Sequence, residues 1–134
     1  MELIGQALAE TQAAFDGVAA DYGRQNEANP ILAAMRARTI ATIRAAVPPG
    51  AHLLDLGCGP ATDAVTLGHL GFRITGIDAS RAMIDTARER VRAEGLHEMI
   101  ELRHLGIHQR VQRCQAESPA PQFLIPVDIG LEKV

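Results

Sequence analysis

Hydrophobic side chains at the start of the chain follow the spacing of helices. Over residues 3–20 they share one face of a predicted helix, and residues 21–29 are polar and predict a loop. A second apolar series at helical spacing occupies residues 31–47. Asn29 and Pro30 are typical of a helix start, because Asn caps free N–H groups and Pro fits the first turn. The first part of the chain is therefore predicted to form two helices separated by a loop.

After residue 50 the pattern changes to short apolar runs that alternate with helical segments. Residues 51–56, 72–77 and 99–105 predict three strands, and the first of them has leucines expected to be buried on both faces, in the manner of parallel strands. The helices between them are expected to end at Gly71 and Gly95. The order strand, helix, strand, helix, strand predicts an α/β fold with a parallel sheet and right-handed crossovers.

The last part of the chain loses this regularity. Residues 109–122 are polar with two prolines and predict an exposed loop, whereas residues 123–129 predict a short strand. Pro126 argues against an interior position for that strand, since proline cannot donate to a sheet. The free edge of the first strand is thus expected to be either open or covered by residues 123–129. An open apolar edge invites pairing with another chain, which predicts a homodimer.

Composition and charge exclude several classes of function. The 134 residues suit one domain, and the net charge of -3 lacks the basic character of nucleic-acid binders. No apolar run reaches the ~20 residues of a membrane span, and no signal peptide is expected. Two cysteines indicate a reducing compartment without a disulfide framework, so a cytoplasmic location is predicted.

The most informative stretch, LLDLGCGPATD, lies where the first strand meets a helix. Gly57 and Gly59 allow a tight turn and close approach of a ligand. A dinucleotide fingerprint needs a third glycine, but Thr62 occupies that position. Asp55 just before the turn opposes a pyrophosphate and favours a ligand with positive groups. S-adenosylmethionine, with an ammonium and a sulfonium, is therefore preferred over NAD.

A second carboxylate lies at the end of the second strand. Asp78 follows the glycine loop by about 20 residues, where an acid accepts hydrogen bonds from ribose hydroxyls. Ala79 and Met83 come next and are predicted to flank the adenine ring.

Together these two motifs resemble class I S-adenosylmethionine-dependent methyltransferases of the small-molecule type. The resemblance rests on LLDLGCGPATDAV, on GIDASRAMIDTARERV and on the lead-in FDGVAADYGRQNEANPILAAMRAR, and it covers residues 15–108. It implies a Rossmann-like three-layer sandwich with strand order 3-2-1 and helices on both faces. It also implies S-adenosylmethionine as cofactor and a small-molecule substrate. The implied cofactor contacts are Asp55, Gly57, Cys58 and Gly59 at the methionine part, Asp78 at the ribose, Ala79 and Met83 at the adenine, and Tyr22 closing over the cofactor.

At some positions this sequence differs from the pattern of the resembled family. Ala61 replaces a frequent glycine, and residues 103–108 lack the acid that often binds adenine. His104 and His108 are not expected to form a metal site, and no catalytic residue is identified. The thiol of Cys58 is interpreted as a small packing group.

Strands four to seven are largely missing, and the resemblance ends at His108. The predicted organisation is an N-terminal helix and lid-like loop (1–30), a cofactor-binding half-domain (31–108) and an irregular tail (109–134), in a truncated chain. A non-catalytic cofactor-binding fragment, or less plausibly a fragment of an NAD-dependent oxidoreductase, stays open as an alternative to a methyltransferase.

Overall fold

A computed structural model describes residues 2–106 and 123–125 of the chain. Two long helices come first, and short strands then alternate with helices, as the sequence predicts. The elements in chain order are α1 (Glu2–Ala28), α2 (Pro30–Ala46), β1 (His52–Leu56), α3 (Thr62–His69), β2 (Arg73–Asp78), α4 (Arg81–Ala93), β3 (Ile100–His104) and β4 (Phe123–Ile125).

All strands of the sheet run parallel, in the order β3-β2-β1-β4. Leu53 of β1 lies beside Ile74 of β2, and Ile74 lies beside Ile100 of β3. The predicted order 3-2-1 is therefore confirmed. Because parallel strands point the same way, the carboxyl ends of β1, β2 and β3 meet at one edge of the sheet.

The helices are arranged around the two crossovers of this sheet. α3 packs on β2 and β3, and α4 does the same, whereas α1 packs on α4 and α2 packs on both α1 and α3. No helix in the described ranges is long and apolar enough to cross a membrane.

The start of α2 forms as its sequence indicates. Asn29 has an extended backbone, and its side-chain oxygen accepts hydrogen bonds from the N–H groups of Ile31 and Leu32 at 3.0 and 3.3 Å. Pro30 occupies the first turn, where a missing N–H costs nothing. The predicted cap is thus confirmed.

The predicted loop over residues 21–29 is wrong, because α1 continues without a break to Ala28. Tertiary contacts outweigh the polar composition of this segment. Gly23 is buried, and a Cβ placed on it would lie 3.5 Å from the Pro60 ring. Glu27 pairs with Arg90 of α4 at 2.5 Å. These contacts hold the last two turns of α1 against the region that follows β1.

The free edge of β1 is covered. β4 pairs with it in parallel, with Leu53, Leu54 and Asp55 beside Phe123, Leu124 and Ile125. The sequence left two possibilities, an open edge and an edge covered by residues 123–129. At these three positions the edge is covered, so the open edge on which the predicted homodimer depends is not found at them. Pro126 and the remainder of the predicted tail lie outside the described residues.

One glycine of β2 is required by close packing across the sheet. A Cβ on the buried Gly76 would lie 2.9 Å from Leu102 Cδ2 and 3.1 Å from Cys58 Sγ. Both distances are shorter than ordinary van der Waals contacts, so a larger residue forces its neighbours apart. Gly76 therefore allows Cys58 to turn inward at the end of β1.

We expect Gly76→Ala to lower the free energy of unfolding by about 2 kcal/mol, because overpacking displaces Leu102 and Cys58. Gly17→Ala is the matched control: Gly17 lies within α1 with no atom within 4 Å of its Cβ position. Alanine favours a helix interior, so the control should gain about 0.5–1 kcal/mol. Urea denaturation measures both changes, and equal stability of the two variants would contradict the packing seen around Gly76.

Candidate functional site

The carboxyl ends of β1 and β2 are joined directly by backbone hydrogen bonds. The N–H groups of Gly57 and Cys58 both donate to the carbonyl oxygen of Ile77, at 2.8 and 3.0 Å. These bonds turn the chain away from β1 immediately after Leu56. The glycine loop of residues 57–61 is consequently held beside the end of β2, where open α/β sheets bind ligands.

The glycine loop uses three residues with positive φ. Gly57 and Gly59 have φ of 72° and 52°, a region that side chains rarely adopt. A Cβ on Gly57 would meet no atom within 4 Å, and one on Gly59 would meet only Tyr22, at 4.0 Å. At Gly57 the loop therefore exposes its backbone, because no side chain of the described residues covers it.

Ala61 is the third residue with positive φ in this loop, at 64°. Glycine is frequent here in the resembled family, and the left-handed backbone supplies the reason. The methyl group is nevertheless completely buried in the core. Burial of that methyl offsets part of the strain, which explains how this loop keeps its shape with alanine.

Asp78 connects the two predicted motifs. Its Oδ2 accepts from the Gly59 N–H at 2.9 Å, and its Oδ1 accepts from the Ser80 N–H at 2.8 Å. A carboxylate has about four acceptor positions, so these two bonds leave capacity for a further pair of donors. The structure thus brings Asp78 and Gly59 together, as the predicted site requires.

Asp55 is a buried carboxyl group at the end of β1, with 8% of its surface exposed. Desolvation raises its pKa to about 7, and the nearby carboxylates Asp63 and Asp78 act in the same direction. Asp63 is itself paired with Arg36 of α2, Nε to Oδ1 at 3.5 Å. Three acids accordingly surround the glycine loop, and this environment favours a positively charged ligand.

Tyr22 reaches the glycine loop from α1. Its ring lies 4.0 Å from the Cβ position of Gly59 and contacts Phe15 edge-on, with ring centroids 6.1 Å apart. Arg90 fixes the same helix from α4, since it donates to Thr62 Oγ1 at 2.8 Å as well as binding Glu27. α1 therefore lies beside the loop and is tied to α4, in the part of the chain where the sequence predicts a lid-like segment.

Three other residues predicted to contact the cofactor, Ala79, Met83 and Cys58, are partly or fully buried. Ala79 is half-buried beside Asp78. Met83 is only 1% exposed, so its side chain belongs to the interior in this conformation. Cys58, within the glycine loop, is also buried, and its sulfur packs toward Gly76. The roles of all three in cofactor binding stay predictions.

Sequence reasoning missed the contribution of Asp16. Its Oδ1 accepts a hydrogen bond from the Ser80 hydroxyl and another from the Ala82 N–H, the latter at 3.2 Å. These bonds hold the pKa of Asp16 below its usual range, chiefly through the Ser80 hydroxyl. The residues lie more than 60 positions apart, so no local pattern links them.

His104 has a structural partner in place of a metal. Its Nε2–H donates to the carbonyl oxygen of Ala79 at 2.9 Å, which ties the end of β3 to the segment after Asp78. No group of His, Cys, Asp and Glu side chains in residues 2–106 is suited to hold a metal ion. His108 lies outside the described residues.

Comparison with known proteins assigns a family to this arrangement. A family model described as a methyltransferase domain matches residues 53–118, which include both motifs and extend past His108, where we expected the resemblance to end. The chain belongs to the class I S-adenosylmethionine-dependent methyltransferase family.

Relatives of this chain are longer than the chain itself. Trans-aconitate 2-methyltransferase of Paracidovorax citrulli is 45% identical over 62 residues, which are 43% of this chain and 24% of the relative. Demethylmenaquinone methyltransferase of Tropheryma whipplei is 33% identical over 90 residues, or 67% of this chain and 38% of the relative. The chain thus spans less than two fifths of either enzyme.

A solved structure supports the fold of this chain. A candidate sarcosine dimethylglycine methyltransferase from Galdieria sulphuraria superposes with a TM-score of 0.53 at 18% identity, covering 56% of this chain and 29% of that one. At this identity the likeness concerns the fold alone.

Proposed function

We propose that this chain binds S-adenosylmethionine at the glycine loop and serves methyl transfer to a small-molecule acceptor. The observation that carries the proposal is the hydrogen bond between Asp78 and the Gly59 N–H. It joins the ribose-binding acid and the glycine loop into one rigid unit, in a chain of this methyltransferase family. The named relatives act on small organic molecules, which supports the acceptor class.

The residues at the site suit the charges and shape of this cofactor. Gly57 and Gly59 leave room for close approach to backbone. Asp78 retains acceptor positions for the two ribose hydroxyls, and Asp55 supplies a carboxylate for the ammonium group. A pyrophosphate would meet three acids here, which disfavours a dinucleotide.

Bound S-adenosylmethionine would supply a methyl group already activated by its positive sulfur. The work left to the protein is to orient this group and to exclude water. Asp55 and Asp78 would fix the two ends of the cofactor, while Tyr22 and α1 shield the loop side. We propose no general base, and the acceptor side of the site stays unassigned.

A non-catalytic cofactor-binding unit is the second candidate function. The cofactor-binding residues named above all lie within residues 2–106, and no acceptor-binding group is identified among them. Such a unit would bind the cofactor as proposed but transfer no methyl group.

Isothermal titration of the 134-residue chain tests the proposal. We expect binding of S-adenosylmethionine and of its demethylated product S-adenosylhomocysteine, and no binding of NADH. Transfer of labelled methyl groups to a panel of small carboxylic acids and quinones then separates an enzyme from a non-catalytic unit. Binding of NADH alone would show an oxidoreductase fragment instead.

Three further properties stay predictions. The acidic net charge supports the absence of nucleic-acid binding, and the composition supports a cytoplasmic location. A homodimer is still proposed, although β4 covers part of the edge on which it was based. Small-angle scattering that gave the mass of a monomer at all concentrations would contradict the dimer.

A further inference from the structure

An aspartate from another helix caps the N-terminus of α4. Ser80, the residue that precedes α4, accepts from the Met83 N–H through its hydroxyl oxygen at 3.1 Å, as helix caps usually do. The same hydroxyl donates its proton to Asp16 of α1, which also accepts from the Ala82 N–H. Asp16 thus satisfies a free N–H of α4 and fixes the orientation of the Ser80 hydroxyl.

The segment held by Asp16 is the one that carries the proposed nucleoside contacts. Asp78 accepts from the Ser80 N–H at 2.8 Å, so the position of Ser80 sets the orientation of the Asp78 carboxylate. His104 holds the Ala79 carbonyl from the side of β3 at 2.9 Å. Residues 78–82 are therefore fixed from α1 and from β3.

Contacts farther along α1 show that this cap belongs to a larger docking surface. Gly23 packs against Pro60 of the glycine loop, and Glu27 binds Arg90 of α4. Asp16 is the α1 side chain whose hydrogen bonds end on residues 80–82. The packing of α1 and the conformation of residues 78–82 therefore depend on each other through the carboxylate of Asp16.

We propose that Asp16 is a positioning residue for the cofactor: by capping α4 from α1, it holds residues 78–82 in the conformation that binds the nucleoside. The inference rests on the proposed function. Linkage requires the effect to be reciprocal. If docked α1 strengthens cofactor binding, the bound cofactor must strengthen the docking of α1 by the same factor.

Titration of Asp16 variants with S-adenosylhomocysteine tests this role. Asp16→Ala loses both hydrogen bonds, and we expect about three- to tenfold weaker binding, as for loss of a helix cap. Asp16→Asn keeps an acceptor oxygen and should stay within about twofold of the wild type. Asp21→Ala is the matched control, since Asp21 lies on the same helix and pairs with Arg24 of α1. It should bind as the wild type does.

Hydrogen exchange over residues 13–20 supplies a readout that a purely local cap would not change. We expect S-adenosylhomocysteine to slow exchange there in the wild type and in Asp16→Asn, but much less in Asp16→Ala. Unchanged affinity of Asp16→Ala, or no effect of the ligand on α1, would overturn the inference while leaving cofactor binding intact. Failure of the wild type to bind would instead refute the proposed function, and the inference with it.

Discussion

Asp55→Asn is expected to stabilise the ligand-free chain at pH 8 and, at the same time, to weaken cofactor binding. In the folded chain burial raises the pKa of Asp55 to about 7, with Asp63 and Asp78 adding to the shift. Ionisation of this group is therefore costly, because no opposite charge among the described residues compensates for its lost hydration. Asparagine has nearly the same shape and carries no charge.

The sign of the pH dependence follows from proton linkage. Between the ordinary pKa of 3.8 and the folded pKa of about 7, the folded chain keeps a proton on Asp55 that the unfolded chain has lost. Stability of the wild type thus falls as pH rises through this window and then levels off. The advantage of Asp55→Asn should grow over the same window, by on the order of 3–4 kcal/mol.

Chemical denaturation between pH 4 and pH 8 measures this difference, and titration with S-adenosylhomocysteine measures the loss of affinity. We expect binding at pH 8 to weaken by about 10- to 100-fold, the usual value for a hydrogen bond to a charged group. Asp85→Asn is the control, since Asp85 is exposed on α4 and pairs only loosely with Arg88, at 3.6 Å. A pH-independent difference between Asp55→Asn and the wild type would contradict the assignment.

Asp78→Ala is expected to cause the largest loss of cofactor affinity, about 100-fold or more, because two hydrogen bonds from ribose to a charged acceptor disappear. The same change removes the bonds to the Gly59 and Ser80 N–H groups. The glycine loop then loses its connection to β2, which adds to the effect on binding.

Asp78→Asn separates these two contributions. Its amide oxygen can accept one of the backbone bonds, so the loop should keep much of its shape, while the capacity to accept from both ribose hydroxyls is lost. We expect an unfolding free energy about 1–2 kcal/mol below that of the wild type, because the amide NH2 cannot accept the second backbone bond, and an affinity at least tenfold weaker. Titration and urea denaturation of both variants provide the data. Retained affinity in Asp78→Ala would exclude the proposed ribose contact.

Most element boundaries were predictable because their signals are local, whereas the strand order was predicted from the family resemblance. Buried parallel strands, the Asn29-Pro30 helix start and the glycines after α3 and α4 each act within a few residues. The error at residues 21–29 arose from contacts distant in sequence. Pro60 and Arg90 stabilise the last turns of α1, and nothing in the composition of residues 21–29 indicates either partner.

The site shows the same division between local and distant information. Asp55, the glycines and Asp78 could be named from motif spacing, since a strand end and a tight turn fix their positions. The burial that raises the pKa of Asp55 arises where β1 lies between its neighbouring strands, and the capping of α4 by Asp16 depends on how α1 packs. A sequence pattern contains no record of such packing, so both features required the structure.

Proton release on ligand binding tests the central claim, that the bend after β1 recognises a cation through Asp55. Titrations at pH 6.5 in buffers of different ionisation enthalpy count the protons released. S-adenosylhomocysteine carries an ammonium group, so its binding should ionise Asp55 and release about three quarters of a proton at this pH. In contrast, 5′-methylthioadenosine, which has no such group, should bind more weakly and release none. Equal proton counts for the two nucleosides, or no binding of S-adenosylhomocysteine, would contradict the account.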